Sequence, residues 1–145
     1  MTAAGAAGRP GLLILTHGGL AGELLRALTT IVGTVDEARA LSIGWDSDPA
    51  VAREAVRAAL DAVDGGAGVL ILTDMFGGTP TNLALAFHGE SATIVTGVNL
   101  PMLIRWASMP AGSLREVAER VRDSGRTSIT LADDYLRARP AGGAD

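Results

Sequence analysis

Cysteine and lysine are both missing from this sequence of 145 residues, and aromatic residues make up only 3% of it. Without cysteine the chain can form no disulfide bond, no catalytic thiolate and no cysteine metal site. With so few aromatic rings, the core must consist mainly of Leu, Ile, Val and Ala, because hydrophobic residues still account for 48% of the chain. A chain of this length and apolar content is expected to fold as one domain.

Positive charge and long apolar runs are also scarce. All 12 basic residues are arginines and the formal net charge is −4, which argues against a nucleic-acid-binding surface. No apolar run approaches the roughly 20 residues that a membrane span needs, and the opening MTAAGAAGRP lacks the apolar stretch of a secretory signal. We therefore expect a cytoplasmic protein with a flexible N-terminus over 1–10 and a C-terminal tail over 132–145.

Strand-like and helical patterns alternate through the remaining segment, 11–131. The runs GLLILT (11–16) and GVLILT (68–73) are continuously apolar, which is typical of strands buried on both faces of a parallel sheet. Weaker strand patterns occupy 38–43, 92–96 and 127–131. Helical patterns extend over 20–32, 49–63 and 79–88, followed by a short helix from Pro101 and a last helix over 114–124, which Gly125 is expected to end.

This alternation predicts a doubly wound α/β fold, with a mainly parallel sheet and helices on both of its faces. In the small version of this fold the strand order is 2-1-3-4, and the order reverses between strands 1 and 3. Functional groups gather beyond the carboxyl ends of the strands at that switch point. His17 directly follows strand 1 and Asp74 directly follows strand 3, so we expect the two side chains to face each other.

A histidine and an aspartate in this position can carry out nucleophilic chemistry. A neutral imidazole is a good nucleophile near neutral pH, and a carboxylate that accepts the proton of one ring nitrogen leaves the other nitrogen free to attack. Glycine-rich turns present backbone N–H groups, two helix N-termini add positive dipole ends, and threonines add hydroxyls. Such an anion site suits a phosphoryl group on His17. The surrounding residues are Thr16, Gly18, Gly19, Thr73, Gly77, Gly78 and Thr79.

The motifs of nucleotide and metal sites are absent from the sequence. It contains no glycine-rich loop with lysine for nucleotide phosphates and no cluster of ligands at metal spacing. We therefore expect neither a cofactor nor a metal, and a phosphoryl donor that is itself a macromolecule. Met75, Phe76 and Met102 are predicted near the site on loops or helix starts, where exposed apolar side chains suit the docking of a protein partner.

Structural roles offer simpler explanations for several of these residues. A single histidine at a strand end is often structural, and a Gly-Gly pair is often only a turn. His88 lies at a predicted helix end, where it interacts with the last carbonyl groups, and Asp48 caps a helix rather than binding a metal. Trp45 lies either in the core or at the rim of the site, and both positions stay open.

Three segments of the chain resemble one protein family. LILTHGGLAGELL, VLILTDMFGGTPTNLAL and IVTGVNLPMLI are similar, in sequence and order, to the enzyme IIA component of the mannose/fructose/sorbose branch of the bacterial phosphoenolpyruvate-dependent sugar phosphotransferase system. The resemblance extends over 11–131. The combination of THG, DMFGGTP and GVNLPM is specific, unlike a single glycine motif.

This resemblance implies a phosphohistidine carrier, the histidine phosphoryl-transfer component of a sugar transport system. His17 would accept a phosphoryl group from phospho-HPr, the phosphohistidine carrier protein, and pass it to an enzyme IIB. Asp74 would orient the imidazole and stabilise its charge. Gly18, Thr73 and the turn formed by 77–79 would bind the phosphoryl group.

The resemblance also implies an assembly. The family fold ends in a C-terminal antiparallel edge strand that two subunits exchange, which would give 127–131 a role in a homodimer. Many family members carry a fused IIB domain that a chain of this length cannot hold, so the acceptor is expected on a separate chain. Contact with membrane components would be indirect, and the sugar is not indicated.

Other functions stay open at this point. Phosphorylation of His17 could act as a signal in a stand-alone regulatory module that controls a protein partner. A small phosphatase is a weaker alternative, because THG resembles the RHG of histidine phosphatases but Thr16 replaces the arginine that would hold phosphate. The phosphotransfer subunit of dihydroxyacetone kinase also uses a histidine after strand 1, although the DMFGGTP loop fits the sugar-transport branch better.

Overall fold

Four parallel strands form one sheet in the computed structural model, which describes residues 8–139. The strands are β1 (Gly11–His17), β2 (Ala38–Ile43), β3 (Val69–Thr73) and β4 (Ala92–Thr96). Their order is β2-β1-β3-β4, as predicted, and every neighbouring pair is parallel. The two central strands are buried along their length, except at His17, because both faces of the sheet are covered.

Helices cover both faces of this sheet, which confirms the predicted α/β fold. They are α1 (Leu20–Val32), α2 (Pro49–Val63), α3 (Thr79–Leu85), α4 (Leu100–Ser108), α5 (Leu114–Thr127) and α6 (Ala132–Ala138). Leu12 and Leu70 point to the side of α1, α4 and α5, where Trp106 fills the core. Leu13 and Ile71 point to the opposite side, towards α2 and α3.

Side-chain caps mark the starts of α2, as predicted for Asp48, and of α5. The Asp48 side chain accepts a hydrogen bond from the Ala50 N–H at 3.1 Å, and Ser113 forms a reciprocal capping box with Glu116. α3 is shorter than the predicted 79–88. After Leu85 the next three N–H groups each donate to the carbonyl three residues back. This is the tighter hydrogen-bond pattern of a 3₁₀ turn, so the α-helix ends before His88.

The prediction of a strand at 127–131 is wrong for the described chain. Helix α5 continues to Thr127, and the short segment after it leads into α6. Gly125 does not end the helix, because its role is packing: an added Cβ would lie 2.5 Å from Cγ of Met102. The Asn99 side-chain N–H also donates to the Gly125 carbonyl at 3.1 Å, which ties α5 to the start of α4.

The chain ends are described only in part, since 1–7 and 140–145 lie outside the described residues. Within the segment predicted as the flexible N-terminus, Arg9 donates to the Ala107 carbonyl at 2.6 Å, and Pro10 accepts a hydrogen bond from the Trp106 ring at 2.8 Å. The described part of the predicted tail forms α6. Within residues 8–139, no helix combines the length and apolar composition needed to cross a bilayer.

Candidate functional site

His17 and Asp74 lie side by side at the switch point of the sheet. His17 is the last residue of β1, and Asp74 directly follows the neighbouring strand β3. The ring nitrogen Nδ1 of His17 is 2.9 Å from Oδ2 of Asp74, and the backbone N–H of His17 donates to the same oxygen at 3.1 Å. Both side chains are partly exposed, so the pair is open to a molecule from outside.

Asp74 is held as an anion by these contacts. Burial raises the pKa of the Asp74 carboxyl, but hydrogen bonds from the ring and backbone of His17, together with the charge of that ring, lower the pKa further. The net pKa therefore lies below the ordinary value of 3.8. An ionised Asp74 can only accept hydrogen bonds, so the proton of a neutral His17 belongs on Nδ1.

The second ring nitrogen of such a neutral His17, Nε2, then carries a lone pair that is not bound to a proton. Within residues 8–139 it has no hydrogen-bond partner. Gly78 lies directly against this edge of the ring: an added Cβ at 78 would be 2.5 Å from Cε1 and 2.9 Å from Nε2. Its backbone is extended (φ −89°, ψ 174°), a conformation that any residue can adopt. Glycine is therefore needed at 78 to leave space for the His17 ring, and not to form the turn.

The other predicted phosphoryl-binding glycines shape the turns. Gly18 follows β1 with φ of +55°, and Gly77 has φ of +90°, both in the region that favours glycine. Thr79 is the first residue of α3 and lines a cavity of about 230 Å³ beside the His17 ring. The far side of that cavity is formed by the loop after β2, including Ser47.

Two of the threonines predicted near the site lie underneath it. Thr16 is buried, and its hydroxyl accepts a hydrogen bond from the Ala21 N–H at 2.7 Å, which fixes the first turn of α1. Thr73 is also buried, and its hydroxyl is 2.8 Å from that of Thr81. Since Thr81 donates to the Met75 carbonyl at 2.5 Å, this pair braces the loop that carries Asp74.

Sequence reasoning missed Thr81 and left Trp45 undecided. The Trp45 ring stacks on His17, with ring centroids 5.3 Å apart and planes inclined by 28°. It lies at the rim of the site and is 84% exposed. The position of Trp45 two residues after β2 could have predicted its place at the rim of the site. The carboxyl ends of neighbouring parallel strands lie at the same edge of the sheet.

The predicted docking residues divide into two groups. Met75 and Phe76 are 55% and 75% exposed on the loop after Asp74. Met102 is 2% exposed and packs in the core against α5, so its prediction as a docking residue is wrong. Met102 was predicted to be exposed because it lies near the start of a helix. The Asn99 side chain caps that helix, and Met102 points inward.

No three histidine, aspartate or glutamate side chains within 8–139 come together in a way that could hold a metal ion. His17, Asp74 and the backbone around them form the candidate site.

The fold and the site define a class: a small doubly wound α/β protein with a histidine and an aspartate in contact at the switch point. The family model described as PTS system fructose IIA component, EIIA-man, matches residues 11–122. The chain belongs to this family, which confirms the resemblance seen in the three sequence segments.

Related proteins come from several sugar systems. The chain is 30% identical over 138 residues to the PTS system mannose-specific EIIAB component of Escherichia coli K12; the match covers 89% of this chain and 40% of that protein. The chain thus spans well under half the length of this relative. A fructose-specific EIIA component of Bacillus subtilis is 32% identical over 71 residues, covering 47% of this chain and 49% of the relative.

Solved structures share the fold. The mannose/sorbose specific IIA subunit from Enterococcus faecalis has a TM-score of 0.77 and 30% identity, covering 85% of this chain and 94% of that one. A PTS IIA protein associated with the fucose utilization operon of Streptococcus pneumoniae has a TM-score of 0.78 and 26% identity, with coverage of 90% and 98%.

Proposed function

We propose that this protein is a phosphohistidine carrier of a sugar phosphotransferase system, in which His17 accepts a phosphoryl group from phospho-HPr and passes it to an enzyme IIB. The observation that carries the proposal is the 2.9 Å contact between Nδ1 of His17 and Asp74, which leaves Nε2 as the reactive nitrogen. Membership of the IIA family supports this chemistry over the phosphatase alternative.

The transfer step needs no proton movement at His17. The Nε2 lone pair forms a bond to phosphorus while the bond between phosphorus and the donor nitrogen breaks, and that bonding pair returns to the donor ring. Asp74 keeps its hydrogen bond to the Nδ1 proton and balances the positive charge that the ring acquires. Transfer to the acceptor histidine is the same step in reverse.

The surroundings of Nε2 favour an incoming group over a side chain of the protein itself. Gly78 leaves room at that edge of the ring, and Thr79 offers a hydroxyl and backbone N–H from the cavity wall. Catalysis in such a transfer comes mainly from positioning and electrostatics. The exposed Met75 and Phe76 are suited to contact the protein that brings the phosphoryl group.

A homodimer formed by C-terminal residues is part of the proposal. The edge strand β4 forms a strand ladder only with β3 within the described residues, apart from a single bridge between Gly89 and Ala92, so its outer side is available to another strand beyond Ala92. A groove of about 350 Å³ follows that edge between α3 and α5. Ile129 and Leu131, exposed by 79% and 64%, provide an apolar segment that a second subunit could receive there.

The sugar is left open by the relatives, since their names cite mannose, fructose, sorbose and fucose. The residues around His17 do not select a sugar either, because a carrier of this kind handles only the phosphoryl group.

Intact mass spectrometry tests the proposal. The purified protein is incubated with phosphoenolpyruvate, enzyme I and HPr, beside His17→Ala and His88→Ala. We expect an acid-labile gain of one phosphoryl group in the wild type and in His88→Ala, and none in His17→Ala. Because His88 is the other histidine of the chain, it is a matched control.

The opposite result is equally clear. If phospho-HPr forms and the wild type gains no phosphoryl group, the carrier function is wrong. If His17→Ala is labelled as well as the wild type, the carrier function survives but the assignment to His17 is wrong.

A further inference from the structure

The two tryptophans of the chain have opposite environments. Trp106 is fully buried, donates to the Pro10 carbonyl and lies under the Arg9 guanidinium at 4.1 Å. Trp45 is 84% exposed and contacts the ring of His17 at a centroid distance of 5.3 Å. An indole this exposed contributes little to the core, so its contact with His17 calls for a separate explanation.

The loop that carries Trp45 is anchored on both sides. Ile43, at the end of β2, is buried and accepts a hydrogen bond from the Gly18 N–H at 3.3 Å, which links this loop to the residue after His17. The Ser47 N–H donates to the Gly44 carbonyl at 3.3 Å, and Asp48 then caps α2. The backbone of the turn that carries the indole is therefore short and tethered on both sides.

Phosphorylation changes the charge of the His17 ring that the Trp45 indole contacts. The free His17 ring is neutral when its single proton is on Nδ1, whereas a ring phosphorylated on Nε2 with Nδ1 still protonated carries a positive charge. The face of an indole attracts such a cation through its negative quadrupole. Contact with Trp45 thus stabilises the phosphorylated ring more than the free ring, in addition to the hydrogen bond that the ring donates to Asp74.

We propose that Trp45 is a positioning residue that stacks on His17 and shifts the phosphoryl-transfer equilibrium towards phosphorylated His17. This inference rests on the proposed carrier function and extends it to a residue outside the histidine–aspartate pair. Trp45 acts on the ring and does not touch the phosphorus.

The equilibrium constant is the decisive measurement. In the reaction of phospho-HPr with this protein, the constant depends only on the free energies of the separated proteins. A residue that merely helps the two proteins dock changes the rate or KM and leaves the constant unchanged. A residue that stabilises phosphorylated His17 changes the constant itself.

Three substitutions at Trp45 separate the possible causes. Trp45→Ala should lower the equilibrium constant about two- to five-fold, the effect of one exposed cation–π contact. Trp45→Leu keeps an apolar surface without a π face and should match Trp45→Ala, whereas Trp45→Phe should recover part of the loss. Phe76→Ala removes an exposed aromatic residue at the same edge of the sheet and should leave the constant unchanged, even if transfer is slower.

Tryptophan fluorescence gives an independent signature. A cationic ring in contact with an indole quenches its emission, so the wild-type emission should fall on phosphorylation. Trp45→Phe retains only Trp106, whose neighbours Arg9 and Pro10 do not change, so its emission should stay constant.

The outcomes distinguish this inference from the proposed function. If the wild type takes no phosphoryl group from phospho-HPr, the carrier function fails and the inference fails with it. If the wild type is phosphorylated and Trp45→Ala has the wild-type constant, only the inference is overturned. Full recovery by Trp45→Leu would also overturn it, because apolar bulk would then explain the effect.

Discussion

At the scale of single residues, the ring of His17 has a different neighbour on each of its sides. Asp74 holds Nδ1, Gly78 leaves the Nε2 edge open, and Trp45 covers a face. In our proposal Asp74 fixes the proton on Nδ1, Gly78 allows access to Nε2, and Trp45 stabilises the phosphorylated ring. Substitutions at the three positions should therefore produce different defects.

Gly78→Ala is predicted to impair phosphorylation more than folding. The extended backbone at 78 accepts alanine without strain, but the new Cβ would lie 2.5 Å from Cε1 of His17 and must displace the ring. Since misplacing a reacting group by about 1 Å can cost 100-fold in rate, we expect a loss of at least about ten-fold. Rapid-quench measurement of phosphoryl transfer from phospho-HPr gives the rate.

Gly22→Ala is the matched control, because the glycine is exposed on α1 and an added Cβ meets nothing within 4 Å. Its transfer rate should equal that of the wild type. If Gly78→Ala transfers as fast as Gly22→Ala, the ring of His17 tolerates displacement and the importance assigned to Gly78 is wrong.

Asp74→Asn is predicted to lower stability in a pH-dependent way. The folded-state pKa of Asp74 lies below its ordinary value of 3.8, so the anion stabilises the folded state fully above that value. As the pH falls below 3.8, the unfolded chain takes up the proton first, and the stabilisation is lost as the pH passes through the folded-state pKa. At pH 7 we expect Asn to cost about 1.5–3 kcal/mol, the range for a hydrogen bond to a charged group.

Urea unfolding of both proteins at pH 7 and near pH 3 measures this difference. The difference in unfolding free energy between the wild type and Asp74→Asn should be smaller at the lower pH. Asp46→Asn removes the same charge from an exposed side chain near the site and should change the unfolding free energy little. A gap of equal size at both pH values would show that the charge of Asp74 does not stabilise the fold.

Sequence patterns could place His17 and Asp74 but not Trp45 or Thr81. The first two follow strands that pair side by side, so strand order alone brings them together. Trp45 reaches His17 through a turn whose path depends on the Gly44–Ser47 hydrogen bond, and Thr81 reaches Thr73 through a buried contact between side chains. Neither contact leaves a periodic signal in the sequence.

At the scale of elements, the strands and most helix starts were predictable because local chemistry determines them. Continuous apolar runs mark the two central strands, and side-chain caps mark the starts of α2 and α5. The end of α5 was not predictable, because Gly125 has two possible roles. It can end a helix or allow close packing, and only the position of Met102 decides between them.

Gly125→Ala is predicted to destabilise the packing of α4 against α5. Its Cβ would lie 2.5 Å from Cγ and 2.7 Å from Sδ of Met102, so the buried side chain must move. Overpacking of this kind costs about 1–3 kcal/mol, which exceeds the gain of up to about 1 kcal/mol from replacing glycine in a helix. Chemical denaturation monitored by circular dichroism measures the change.

Gly22→Ala provides the comparison, since it makes the same substitution in α1 without a clash and should gain about 0.5–1 kcal/mol. Opposite signs for the two variants would support packing as the role of Gly125. A stabilised Gly125→Ala protein would contradict it and favour a simple helix-propensity effect.

At the scale of the whole molecule, both edge strands of the sheet, β2 and β4, lack an outer strand partner in the described structure, and one apolar segment is exposed. β4 is an edge strand, and Ile129, Leu131, Tyr135 and Leu136 are all more than half exposed. Monomeric proteins rarely expose contiguous apolar patches, and free strand edges invite pairing. The exposed edge strand and the exposed apolar segment therefore favour association with a second copy of the chain.

We therefore predict a homodimer that depends on the segment after α5. Sedimentation equilibrium of the wild type should give twice the monomer mass, and the double substitution Ile129→Asp and Leu131→Asp should give the monomer, because charges at both positions oppose burial against β4. Val51→Asp, at a position 66% exposed on α2, places a charge on an apolar site away from that edge and should remain dimeric. A wild-type protein that stays monomeric at high concentration would contradict the predicted homodimer. A dimer that survives the double substitution would place the interface elsewhere.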